Sequence, residues 1–156
     1  MIKLCRIDHR LVHGQVAFSW TKFLDADCIL IASDALMRDD LKMAAMKMAK
    51  PDGIKLVMKN MEDSIKALNS GVTDKYKLFI LVESVQDAYT LATHVTCIKS
   101  INIGGMKATE DRRQISKAVF IDDEDEQLLK DLDAKGFELE VRLVPSETKR
   151  NLMSLL

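Results

Sequence analysis

The chain has 156 residues, 23 lysines and arginines against 24 aspartates and glutamates, and a net charge of -1. That length suits one domain with a real core, and the charge balance excludes a nucleic-acid partner held by bulk electrostatics, which needs a basic surplus. The longest apolar runs, Cys28 to Ala32 and Leu78 to Val82, are strand-length and too short for a bilayer; Lys3, Arg6, Asp8 and Arg10 interrupt the N-terminus, so neither a secretory signal nor membrane insertion is expected.

Met1 to Ile7 reads as an extended, mostly apolar strand, and after Gly14 the residues Val16, Trp20, Phe23 and Leu24 recur at helical spacing. Further strands are predicted over Asp27–Ser33, Ile54–Asn60, Lys77–Glu83, Lys99–Gly104, Ala118–Ile121 and Phe137–Val144. Between most of them lie amphipathic helices. Their stripes are Met37, Leu41, Ala44, Ala45 and Met48; Met61, Ile65 and Leu68; Val85, Ala88, Tyr89, Ala92 and Val95; and Leu128, Leu129 and Leu132. Asn60 before Asp63 and Ser84 before Asp87 read as caps, Gly71 and Gly136 as helix stops, and the acidic run Asp122 to Glu126 as a helix start. Pro51 ends the second helix, and Pro145 separates the last strand from a short helix carrying Leu152, Met153 and Leu156.

Strands alternating with helices predict an α/β fold: an open, mostly parallel sheet covered by helices on both faces. The Gly104–Lys117 connection breaks the alternation and predicts a charged loop with one antiparallel strand near it. No repeat or linker divides the chain, so residues 1–156 read as a single domain. Cys5, Cys28 and Cys97 are odd in number and lack metal-ligand spacing, which predicts reduced, largely buried thiols in a cytoplasmic protein, with no metal.

The chemistry is concentrated in the step from first strand to first helix. Arg6, Asp8, His9, Arg10 and His13 crowd that loop, and His13 falls at a helix N-terminus. There the unpaired N–H groups of Gly14, Gln15 and Val16 and the positive end of the helix dipole suit an anion attached to the ring. Such equipment handles a phosphoryl group.

The run Arg6-Ile7-Asp8-His9-Arg10-Leu11-Val12-His13-Gly14-Gln15-Val16 resembles the active-site loop of the IIB components of the sugar phosphotransferase system, mannose/fructose/sorbose class. Asn102-Ile103-Gly104-Gly105-Met106, Ile115-Ser116-Lys117-Ala118-Val119 and Val144-Pro145 extend the resemblance over essentially the whole chain. His9 departs from a position often acidic in that family. The resemblance implies a seven-stranded sheet with His13 at the carboxyl end of the first strand. It also implies a transferase, a protein-N(π)-phosphohistidine–sugar phosphotransferase, that takes phosphate from a IIA phosphohistidine onto the pros nitrogen of His13. The phosphoryl then passes to a sugar, with membrane IIC and IID subunits as partners and no cofactor.

A relay of that kind needs positioning and charge stabilisation more than another nucleophile. Arg10 is the choice for bidentate pairing with phosphoryl oxygens, Asp8 for orienting the imidazole, and the Gly104-Gly105 pair for close backbone approach. Arg6 ranks below Arg10 as a solvated or structural residue; Lys107, Arg112 and Arg113 read as a wet loop face; Leu11, Val12 and Met106 suggest a small docking patch. A dinucleotide or P-loop reading lacks its glycine-rich signature, and a receiver-type aspartate switch lacks its nucleophile, because the third strand closes on Lys59-Asn60. A phosphohistidine-based sensor of sugar supply, which would keep its phosphate, uses the same residues and stays open.

Overall fold

The computed structural model describes residues 1–156. Its chain begins with β1 (Ile2–Asp8), α1 (Gly14–Leu24), β2 (Cys28–Ala32), α2 (Asp40–Ala49), β3 (Lys55–Lys59) and α3 (Met61–Ser70). There follow β4 (Leu78–Val82), α4 (Val85–His94), β5 (Ser100–Gly105), β6 (Arg113–Ser116), β7 (Val119–Ile121), α5 (Asp123–Ala134), β8 (Glu138–Val141) and β9 (Arg150–Asn151). Short 3-10 turns cover Leu36–Arg38 and Leu152–Leu155.

One seven-stranded sheet runs in the order β3-β2-β4-β1-β5-β8-β9, parallel except for the antiparallel β8–β9 pair. β2 and β4 are buried at every position, which is why they read as unbroken apolar runs and not as alternations. Two cores lie on opposite faces. Cys5, Ile7, Leu30 and Ile80 face α3, α4 and α5, whose Leu68, Leu91 and Leu129 join the same cluster. Ile29, Ile31, Phe79 and Leu81 face α1 and α2 through Trp20 and Met46. The helices after β1 and β4 cover different faces, and open sheets of this kind bind ligands outside the carboxyl ends of their strands, where β1 ends here.

The caps form as the sequence predicts. Asn60 Oδ1 accepts from the Asp63 N–H at 2.8 Å, Ser84 Oγ accepts from Asp87 N–H at 3.1 Å, and Asp122 and Asp125 close a capping box. Gly71 stops α3 in the left-handed region.

Three details differ from the sequence reading. The predicted strand 118–121 does not enter the main sheet: β7 pairs antiparallel with β6 as a separate hairpin, and the seventh place goes to β9, beyond Pro145. The expected stripe of α2 is rotated, with Met46 buried and Met43 half-buried while Leu41 and Met48 stand 84% and 88% exposed. The Leu36–Arg38 turn resets the phase before α2 begins, so periodicity counted from Met37 lands on the wrong face. Cys97, expected among buried thiols, is exposed; Cys5 is buried, and burial pushes its thiol up to about 12.

Candidate active site in the β1–α1 loop

β1 ends on Asp8, and the chain turns at once. The Leu11 N–H reaches the Asp8 carbonyl at 2.9 Å, and the Arg10 N–H donates to Asp8 Oδ1 at 3.0 Å, an Asx-type turn. Leu11 takes a left-handed φ of 57°, costly for a branched side chain, and is held there by burial of Leu11 and Val12 in the α1-side core. These two were expected to form a docking patch with Met106; all three are buried, so that patch does not exist. Their burial anchors the loop instead, leaving Arg10 exposed with no side-chain partner.

His13 is the N-cap residue of α1 and lends no side-chain cap. Its Nε2 lies 2.9 Å from Asp8 Oδ2, and its side chain is 13% exposed. Burial by itself lifts the Asp8 carboxyl, but the His13 hydrogen bond, the Arg6 and His13 charges and the Arg10 N–H outweigh it and hold the group below its ordinary value. An ionised carboxylate only accepts, so His13 Nε2 must carry the proton. In the neutral ring Nδ1 is then the lone-pair nitrogen, and it has no hydrogen-bond partner. The first bond within the α1 end runs from the Ala17 N–H to the His13 carbonyl at 3.3 Å, so the N–H groups of Gly14, Gln15 and Val16 are unpaired.

Behind Asp8 lies a buried polar chain that sequence reasoning missed. Arg6, 1% exposed, donates from Nη2 to Asp8 Oδ2 at 3.1 Å and to the Leu143 carbonyl at 2.9 Å; from Nη1 it reaches Asn102 Oδ1 at 2.6 Å and the Arg142 carbonyl at 2.9 Å. Asn102 donates to Glu140 at 3.1 Å, and Glu140 takes a two-point contact from Arg142 at 2.8 and 2.9 Å. Trp20, the sole tryptophan, lies against both guanidiniums, 5.0 Å from Arg6 Cζ and 5.1 Å from Arg142 Cζ, and donates to the Leu143 carbonyl. A signal was present: Arg6, Asn102, Glu140 and Arg142 are each flanked on both sides by apolar residues, and Glu140 and Arg142, two apart, fall on one side of an extended segment.

The two glycines of β5 differ in task. Ile7 pairs with Ile103 and Asp8 with Gly105, so Gly104 is the extra residue of a β-bulge. A Cβ on Gly104 would fall inside the Arg6 guanidinium, so the space beside Gly104 belongs to a side chain. Gly105 faces Asp8 and His9 at ordinary contact distance. His9 is half-buried, donates its N–H to the Gly105 carbonyl at 3.0 Å, and leaves Nδ1 buried without a partner.

The remaining candidates lie elsewhere. Arg112 pairs with Asp122 and Asp125, and Arg113 with Asp123 and Glu126, so both guanidiniums clamp the hairpin to the start of α5. Lys107 is exposed, and its carbonyl accepts from Arg112. His94 donates from Nδ1 to the Thr90 carbonyl at 2.7 Å, near the end of α4. No three His, Cys, Asp or Glu side chains gather as a metal would require, and no helix is long and apolar enough to cross a membrane.

Comparison with known proteins shows the family and the fold. Residues 2–156 match the family described as PTS system sorbose subfamily IIB component. A probable phosphotransferase enzyme IIB component of Streptococcus pyogenes is 34% identical, with 100% of this chain and 99% of that protein aligned. The mannose-specific EIIAB component of Escherichia coli is 32% identical over all of this chain, which spans 48% of that longer protein. The crystal structure of the IIB domain of the sorbose permease from Klebsiella pneumoniae superposes with a TM-score of 0.94 at 31% identity, covering 99% of this chain and 95% of that one. The chain therefore belongs to the sorbose subfamily of IIB components of the sugar phosphotransferase system.

Proposed function

We propose that residues 1–156 act as one phosphoryl-carrier unit, in which His13 accepts phosphate from a IIA phosphohistidine on Nδ1 and passes it to a sugar during IIC- and IID-mediated uptake. The observation that carries this reading is the Asp8–His13 contact of 2.9 Å, which occupies Nε2 and leaves Nδ1 as the nucleophile. In the first transfer the Nδ1 lone pair attacks phosphorus while the donor's N–P bond breaks and its electrons return to the donor ring. The positive charge that develops on His13 is met by the Asp8 carboxylate. In the second, a sugar hydroxyl oxygen attacks, the His13 N–P bond breaks, its electrons return to Nδ1, and the hydroxyl proton is lost to solvent. No cofactor enters either step.

Arg10 is assigned to the phosphoryl oxygens because it is exposed in the same turn and unpaired. The free N–H groups of Gly14, Gln15 and Val16 supply fixed donors for the same anion, and Gly105 keeps the neighbouring strand end low beside Asp8. Gly104 supports the site from beneath, through Arg6. The partners dock beside a groove of about 540 Å³ that Gln15 lines with Phe18, Phe23, Val144 and Pro145. Phe18 and Phe23 are 51% and 59% exposed. The site works in the cytoplasm, where a IIA donor is available.

Incubation with a labelled, phosphorylated IIA donor, followed by mass-spectrometric location of the label, tests the reading. Label is expected on His13 and absent from a folded His13→Ala variant; undiminished incorporation in that variant would move the site. Addition of IIC and IID membranes with sugar should then discharge the label. Retention of it would favour a phosphohistidine sensor.

A further inference from the structure

We propose that Arg6 is a positioning residue for His13, acting through the Asp8 carboxylate, and that the bulge at Gly104 exists to admit its guanidinium. The inference rests on the carrier reading of His13 and adds the part that aims the ring.

The geometry leaves Asp8 little freedom. Its Oδ2 accepts from both Arg6 Nη2 and His13 Nε2, while Oδ1 accepts from the Arg10 N–H. Rotating the carboxylate breaks at least one of these bonds. A buried guanidinium is tolerated only when it is well bonded, and Arg6 Nη1 and Nη2 donate to the Arg142 and Leu143 carbonyls just past β8, to Asn102 and to Asp8. It is therefore a fixed post.

Gly104 is what gives the post room. It does not occupy the left-handed region, so its backbone alone makes no demand for glycine. The demand comes from the guanidinium, which any Cβ at that position would strike.

The same contact has a chemical consequence. Once Nδ1 carries phosphorus, the ring is a good leaving group only while Nε2 keeps its proton. Burial raises the basicity of the Asp8 carboxylate and so its pull on that proton, and Arg6 opposes the rise. Arg6 lowers the basicity of Asp8, so the proton stays on Nε2 and the N–P bond stays labile toward the next acceptor.

Nitrogen-15 NMR of the whole chain, with phosphate delivered by a phosphorylated IIA donor, tests the proposal. In the wild-type protein a hydrogen-bonded His13 Nε2–H resonance is expected, and the Arg6 guanidinium resonances should shift when His13 is phosphorylated. In Gly104→Ala the far-ultraviolet circular dichroism should be retained, the Nε2–H resonance should vanish into solvent exchange, and phosphate acceptance should fall by about tenfold or more. A folded Gly104→Ala with the wild-type rate and an intact Nε2–H signal overturns the proposal, and so do wild-type Arg6 resonances that ignore phosphorylation. The wild-type measurement decides the matter if the variant does not fold. Wild-type His13 that takes no label overturns the carrier reading and this inference together, whereas full labelling with an indifferent Gly104→Ala overturns this inference alone.

Discussion

At the scale of single residues, Asp8 joins the His13 ring to the buried Arg6 guanidinium, and its acid-base behaviour reflects both. Its folded value lies below the ordinary 3.8, so the stability it contributes is present above that value and is lost as pH falls through the lower folded one. Asp8→Asn should cost about 2 to 3 kcal/mol at pH 7, because Arg6 stays buried without its counter-charge. The gap from wild type should narrow in strong acid, as thermal melts across pH would show. Asp87 behaves oppositely: burial, with Glu83 and Asp34 nearby, raises it to about 6. It therefore penalises the fold above that pH, and the penalty fades as pH falls toward 3.8. The full shift corresponds to about 3 kcal/mol, which partial exposure reduces to about 1, so Asp87→Asn should raise the melting temperature at pH 7 and leave it unchanged near pH 4. Arg10→Ala should keep stability within about 0.5 kcal/mol, since the side chain is exposed, while slowing phosphotransfer in both directions; equal transfer rates would remove Arg10 from the site. That Asp8, Arg10 and His13 lie together was legible because they crowd one short segment. The contacts of Arg6 were not, because Asn102, Arg142 and Leu143 lie 96, 136 and 137 residues away in the chain.

Among the secondary elements, those with local punctuation matched their prediction best. Asn60, Ser84 and Asp122 mark helix starts with side chains that bond their own first turn, a signal that needs no tertiary context. α2 shows the limit of periodicity. Apolar residues occupy both its faces, so the sequence offered two stripes and packing chose the one through Met46. Met46→Ala should cost about 2 kcal/mol or more, whereas Leu41→Ser and Met48→Ser should each stay within about 0.5 kcal/mol. Urea unfolding separates these outcomes. Of the β6–β7 hairpin, β7 was predicted as a strand but β6 was read as part of a charged loop, because the pairing of the two is fixed by Arg112 and Arg113 reaching the acidic start of α5.

For the molecule as a whole, alternation of strand and helix specified the layers, and the seven-strand count came with the family resemblance; which segment fills the seventh place was settled by contacts between distant residues. The polar chain from Glu140 to His13 crosses β8, β5 and β1, tying the far side of the sheet to the loop that carries the ring. Glu140→Ala should lower stability by about 3 kcal/mol or more, because Arg142 would remain buried alone. The rims of the sheet carry a different consequence. β3 is bounded by Lys55 and Lys59, and β9, at the other rim, has only two residues. Neither offers a long, neutral template for another chain. The molecule is thereby guarded against polymerising with itself edge to edge, even when crowded.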